Sequence, residues 1–260
     1  MTHLIAQITD THLFADPRQT SKGIPTNESF ATVLAHLRQM PRLPDVLLLT
    51  GDLSQDETPE SYRLLWEAIA PLQIPTYWIP GNHDDPRWMG EILDRPPFSL
   101  EKRVKIGNWT LLLLDSQVLG AVHGFLSDAS LEWLDQQLQV TDTRPALIAL
   151  HHPPLSVGSA WMDGISLENQ AAFQEILHRH PGVRAVICGH IHQELDEVRQ
   201  GIRYLATPST CVQFVPKSQE FAIDGDRFPG FRLLTLHDAG DLTTEVIRVP
   251  YHPAIQPVSA

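Results

Sequence analysis

At 260 residues, 42% of them hydrophobic and 19% charged, the chain has the length and composition of one large globular domain, which excludes disordered, collagenous and disulfide-stapled classes. Thirty-one acidic against 19 basic residues give a formal charge of −12; such a field repels nucleic-acid polymers and anionic membrane surfaces. No apolar run approaches the roughly 18 residues of a transmembrane helix. The start lacks the basic residues and cleavage site of a secretory signal, and two cysteines, Cys188 and Cys211, suit a reducing compartment, so a cytoplasmic location is expected.

Short apolar runs alternate with amphipathic stretches, the pattern of a layered α/β protein. Leu4–Thr9 predicts the first strand, Asn27–Met40 a helix and Val46–Thr50 a second strand. Thr58 before Pro59 is a helix-start signal, a capping side chain followed by proline in the first turn, and that helix runs to Leu72. After a strand at Thr76–Ile79, the runs Arg103–Ile106 and Thr110–Leu114 flank Gly107-Asn108 as a hairpin. Ser127 caps a helix to Gln139 whose Leu131, Leu134 and Leu138 form a core-facing stripe. A strand at Ala146–Leu150, a helix at Leu167–His180 and a strand at Val183–Cys188 follow. Two further hairpins, Glu194–Arg199 with Ile202–Leu205 and Phe231–Leu236 with Thr243–Val249, make the sheets mixed rather than purely parallel. Residues 1–249 are expected to form a single domain, and 250–260, with three prolines, an irregular tail.

Layered α/β proteins place their ligands at the carboxyl ends of strands. Five such ends read Asp10-Thr11-His12, Gly51-Asp52, Gly81-Asn82-His83-Asp84, His151-His152-Pro153 and Gly189-His190-Ile191-His192, and each supplies a residue type that binds metals. Imidazole with carboxylate suits iron, manganese, cobalt or zinc, whereas calcium and magnesium favour oxygen alone. Side chains two apart can grip one ion once the backbone leaves strand geometry. Two ions roughly 3.5–4 Å apart need a shared ligand, and a carboxylate is the natural one; Asp52 is the expected bridge.

The ordered set D-x-H, G-D, G-N-H-D, H-H-P, G-H-x-H resembles that of the calcineurin-like metallophosphoesterases along the whole chain. Leu114-Asp115-Ser116, His123-Gly124, Leu131-Glu132-Trp133-Leu134 and the segment Ala206 to Phe214 are similar to bacterial class III 3′,5′-cyclic AMP phosphodiesterases. The resemblance implies an α/β fold in which two mixed β-sheets pack as a sandwich flanked by helices, the four-layer metallophosphoesterase fold. It also implies two divalent or trivalent transition-metal ions, iron or manganese, with zinc or cobalt as alternatives. One would take Asp10, His12 and His192, the other Asn82, His151 and His190, with Asp52 shared. Either His151 or His152 could be the ligand of the H-H-P segment; the family's variable spelling keeps the first, so His151 is assigned and His152 lines the site. His83 is the expected proton donor and approaches substrate together with Asn82, His152 and His123.

Two branches of the family are excluded. Phosphoprotein phosphatases carry G-D-x-x-D-R-G, whereas here the second carboxylate, Asp56, falls one residue late and no arginine follows. Purple acid phosphatases place a tyrosine three residues after the aspartate, where this chain has Gln55. The implied reaction is hydrolysis of cyclic AMP to 5′-AMP: the ions relieve the charge of the phosphodiester and lower the pKa of a water held between them, which attacks in line. The alternatives are glycerophosphodiesters or nucleotide-linked pyrophosphates as substrates and, less favoured, a non-catalytic binding module. The implied partner is a small-molecule cyclic nucleotide or other phosphodiester, not a nucleic-acid polymer or membrane, with a homodimer left open.

Overall fold

The computed structural model describes residues 1–141 and 144–252. In chain order the strands are β1 (Thr2–Ile8), β2 (Thr20–Ser21), β3 (Ile24–Pro25), β4 (Val46–Thr50), β5 (Thr76–Ile79), β6 (Phe98–Ser99) and β7 (Arg103–Ile106). Then come β8 (Trp109–Leu113), β9 (Ala146–Ala149), β10 (Val183–Cys188), β11 (Leu195–Arg199), β12 (Ile202–Ala206), β13 (Gly230–His237) and β14 (Leu242–Arg248). The helices are α1 (Thr26–Arg38), α2 (Pro59–Ile69), α3 (Pro86–Leu93), α4 (Asp128–Thr141), α5 (Ala160–Asp163) and α6 (Gln170–Arg179). One six-stranded sheet runs β14-β13-β1-β4-β5-β6 and a second runs β11-β12-β10-β9-β8-β7. In each, parallel central strands are flanked by an antiparallel pair, β13 with β14 and β11 with β12, as the hairpin signals predict.

Central strands such as Val46-Leu47-Leu48-Leu49-Thr50 are buried at every position, which requires cover on both faces. Their alternation sorts side chains into separate cores: Ile5 and Leu48 meet Trp109, Leu147 and Ile187 between the sheets. Ala6, Ile8, Leu47 and Leu49 pack outward against Phe30, Leu34, Tyr62 and Met89 of α1, α2 and α3. On the far side Leu112 and Ile148 pack against Leu134, Leu138, Phe173 and Leu177 of α4 and α6. The outcome is the expected four layers, helix, sheet, sheet, helix.

Several local expectations shift. The helix beginning at Pro59 ends at Ile69, with Ala70–Leu72 tightening into a 3₁₀ turn. Helix α3 was not foreseen, although Asp85 before Pro86 is the same start signal as Thr58-Pro59; the Asp85 carboxylate accepts from the Arg87 and Trp88 amides. Helix α6 begins at Gln170 rather than Leu167, because the Leu167 amide donates to Pro153 O and the Glu168 amide to Gly124 O, drawing that stretch into a loop crossing. The C-terminal segment is irregular where it is described, yet Val249 and Tyr251 are buried; residues 253–260 of the expected tail lie outside the described residues. Among the described residues no helix is long and apolar enough to cross a membrane.

Candidate metal centre

The loops that leave β1, β4, β5, β9 and β10 meet at one place, and their backbones are unusual. Asp10 (φ 53°), His12 (46°), Asp52 (51°), His190 (67°) and His192 (51°) all adopt the left-handed region, which costs non-glycine residues energy and marks a site the surrounding fold must enforce. The turns bring Asp10 and His12, and likewise His190 and His192, into one cluster. Interstrand bonds hold them: Asp10 N donates to Gly51 O and His12 N to Asp52 O, both at 2.9 Å. The His190 amide donates to both Asp10 carboxylate oxygens at 3.1 Å. Gly189 makes this approach possible, since a Cβ there would stand 2.1 Å from Thr9 Oγ1 and 2.8 Å from Asp10 Oδ2.

Two donor groups result. In the first, His12 Nε2 lies 3.1 Å from His192 Nε2, and His192 Nε2 lies 3.3 Å from Asp10 Oδ1. In the second, His190 Nδ1 lies 3.3 Å from His151 Nε2. Asp52 Oδ2 stands between them, 3.7 Å from His12 Nε2 and 3.4 Å from His151 Nε2. Atoms bound to one ion at about 2.1 Å sit roughly 3–3.4 Å apart, so the spacing matches ligand sets. Asn82 Oδ1 and His190 Nε2 are buried with no partner among the described residues, a costly state that an ion or substrate can relieve.

The supporting bonds select tautomers. His151 Nδ1 donates to Thr50 O and His192 Nδ1 to Val212 O, both at 2.8 Å, which leaves each Nε2 lone pair free. His152 is buried against His190, but Nδ1 meets Ser116 Oγ at 2.9 Å and Nε2 meets Val122 O at 3.1 Å, so both its nitrogens are engaged. Burial opposes a proton on His12, overcoming Asp52, and brings its pKa down to about 4. His190 is held well below its usual range by burial and by His151. Burial likewise opposes charge on Asp10 and Asp52, yet His192 beside the first and His151 beside the second keep both carboxyls low. At His151 burial opposes a proton, but Asp52 and then Asp10 outweigh it and raise its pKa to about 9, so a cation bound there would displace that proton; with the other imidazoles it surrounds ionised carboxylates, a donor set for a divalent cation.

The structure thus brings Asp10, His12, Asp52, His151, His190 and His192 together, and Asn82 and His83 line the same cavity of about 480 Å³. His123 does not join them; its Nε2 lies 3.4 Å from Glu168 Oε2 at the surface. Two residues that hold the site carry only faint sequence signals. Asp84, the last residue of G-N-H-D, accepts from the amides of Leu53, Ser54 and Gly81 and from the Tyr62 hydroxyl, clamping the Asp52 loop to the Asn82 loop. Gln117 donates its side-chain amide to Gly81 O and Asp84 O from an otherwise unremarkable loop.

The family profile of calcineurin-like phosphoesterases matches residues 3–194. The chain belongs to that family. Relatives match it almost end to end: it is 48% identical to a 3′,5′-cyclic-nucleotide phosphodiesterase of Nostoc sp. over 97% of this chain and 95% of the other. It is 46% identical to the 3′,5′-cyclic adenosine monophosphate phosphodiesterase CpdA of Escherichia coli over 94% of this chain and 89% of that one. The fold also matches a dimetal phosphatase from Danio rerio with a TM-score of 0.63 at 14% identity, covering 95% of this chain and 99% of that one.

Proposed function

We propose that this calcineurin-like phosphoesterase hydrolyses 3′,5′-cyclic AMP to 5′-AMP. In this proposal Asp10, His12 and His192 hold one transition-metal ion, Asn82, His151 and His190 hold a second, and Asp52 is shared. Iron or manganese fits the mixed nitrogen and oxygen donors, as do zinc and cobalt. The carrying observation is Asp52 Oδ2, placed within 4 Å of an imidazole nitrogen from each donor group. The activity for which these relatives are named supports the choice of substrate, and the single site built jointly by both sheets supports residues 1–249 acting as one domain. Bound there, two such ions supply charge neutralisation of the phosphodiester and a water of lowered pKa.

The chain's own residues do the rest. His83 lines the cavity beside Asn82, and its backbone N–H donates to Asp52 Oδ1 at 2.8 Å. The Gln55 side-chain amide, 3.2 Å from His83 Nδ1, places the ring proton on Nε2 when it donates. From there His83 protonates the ribose 3′-oxygen as it leaves, a step worth on the order of 10²- to 10⁴-fold. The engaged nitrogens of His152 support it as a wall that orients His190, with His151 as the ligand.

The test compares kcat/KM for cyclic AMP, cyclic GMP and glycerophosphodiesters on protein stripped of metal and reloaded with manganese or iron. Cyclic AMP is expected to be the best substrate, with 5′-AMP as sole product, and exhaustive chelation should abolish turnover. A clear preference for glycerophosphodiesters would overturn the substrate, and full activity with metal absence confirmed elementally would overturn the two-ion site.

A further inference from the structure

The cavity has two unlike walls. One carries the donor groups and His83; the other is apolar and aromatic, with Trp161, Met162, Ile165 and Phe214. Binding a phosphodiester to metal ions uses only the first. Resting on the phosphodiesterase proposal above, we infer that the second wall, centred on Trp161 and Phe214, binds the base of the substrate and that this base is a purine.

Three observations carry the inference. The Phe214 ring stacks on the His192 imidazole, with centroids 4.3 Å apart and planes 13° from parallel, and Trp161 meets Phe214 edge-on at 5.3 Å. The indole therefore stands one ring beyond a metal-ligand candidate, a separation suited to the ribose that joins a nucleotide's phosphate to its base. Phe221 also meets Trp161 at 5.2 Å and Phe214 at 5.3 Å, so the three rings brace one another and hold a fixed surface. Finally, the Trp161 indole N–H is buried with no acceptor among the described residues, so the side chain meets the cavity through its apolar carbons. A purine supplies the broad flat face that stacks on such a wall, whereas a glycerol ester has none to offer.

The test uses the full, manganese-loaded chain and two inhibitors that differ only by the base, 5′-AMP and ribose 5-phosphate. Trp161→Ala is expected to raise the inhibition constant of 5′-AMP and the KM of cyclic AMP about tenfold, as loss of base stacking does elsewhere. The ribose 5-phosphate constant and kcat should move far less. Trp161→Phe should recover most of the 5′-AMP affinity by restoring an aromatic face. Tryptophan fluorescence gives a second readout: 5′-AMP should quench it in the wild-type protein, with the quench lost in Trp161→Phe although inhibition persists. Equal shifts for the two inhibitors, no shift for either, or an unaltered quench in Trp161→Phe would overturn the base site. If Trp161→Ala does not fold, the quench in Trp161→Phe decides. A wild-type enzyme that prefers glycerophosphodiesters would sink the substrate proposal alone, since the 5′-AMP comparison still reads the wall.

Discussion

Replacing Gly81 with alanine probes how closely the Asp52 and Asn82 loops must approach. A Cβ at Gly81 would lie 2.2 Å from Asp52 Oδ1, 2.4 Å from Asp52 N and 2.8 Å from His151 Cε1. Because ordinary van der Waals contact begins at 3.4 Å, the two backbones must separate by about 1 Å, and a misplacement of that size costs on the order of 10²-fold in rate. Neither loop is free to retreat. Asp84 ties the Gly81 amide to those of Leu53 and Ser54, Gln117 holds Gly81 O at 2.8 Å, and the His83 amide pins Asp52 Oδ1. Gly81→Ala should therefore lose about 10²-fold in kcat/KM on cyclic AMP, bind less metal and lose about 1–3 kcal/mol of stability, the usual cost of overpacking. Gly90, inside helix α3 with nothing within 4 Å of the corresponding Cβ, is the control. Gly90→Ala should gain about 0.5–1 kcal/mol at unchanged activity. The assays are steady-state kinetics with excess manganese, elemental metal content and urea unfolding. Two ions per chain and a kcat/KM within about threefold of wild type in Gly81→Ala would refute the reasoning.

Asp52→Asn should lower total metal content more than His192→Gln does, because only Asp52 faces both donor groups; near-normal turnover with about two ions per chain would remove it as the bridge. His83→Ala should keep its metal, lose on the order of 10²-fold in kcat on cyclic AMP, and lose much less on a nitrophenyl diester, whose leaving group departs unprotonated. Equal losses on both substrates would retire His83 as the acid. At Asp56, burial resists ionisation, but the Ala15 amide at 2.7 Å and the Thr58 hydroxyl at 2.9 Å prevail and hold the carboxyl below its usual value. With a lowered folded value, its contribution to stability is present above the unfolded pKa of about 3.9 and is lost as pH falls through the folded one. Asp56→Asn should accordingly depress Tm near neutral pH with a gap that narrows in acid, and a gap constant down to about pH 2 would contradict this.

The sequence by itself determined where the longer strands fall along the chain and the chemistry at their ends. Apolar runs such as Val46–Leu49 demand cover on both faces, and although one aspartate or asparagine after such a run is an ordinary turn residue, five ordered ends that each carry a metal-binding residue type point to a ligand site. Hairpin signals at Gly107-Asn108 and Gln200-Gly201 likewise act over a few residues and are legible locally. Tertiary structure alone decided what depends on the meeting of distant segments. Whether His151 or His152 faces the donor cluster is set by Thr50 O on one side and Ser116 Oγ with Val122 O on the other. His123, an apparent substrate contact by its place in the chain, is turned toward Glu168. The start of α6 was moved by amide bonds from Leu167 and Glu168 to residues 14 and 44 positions away. Asp84 and Gln117 gained their roles the same way, through bonds to the Gly81 loop. A ligand's chemical type is written in its own side chain, but the atom it presents, the residue that clamps it and the wall beside it are fixed by hydrogen bonds and packing between loops far apart in the chain, which no local pattern encodes.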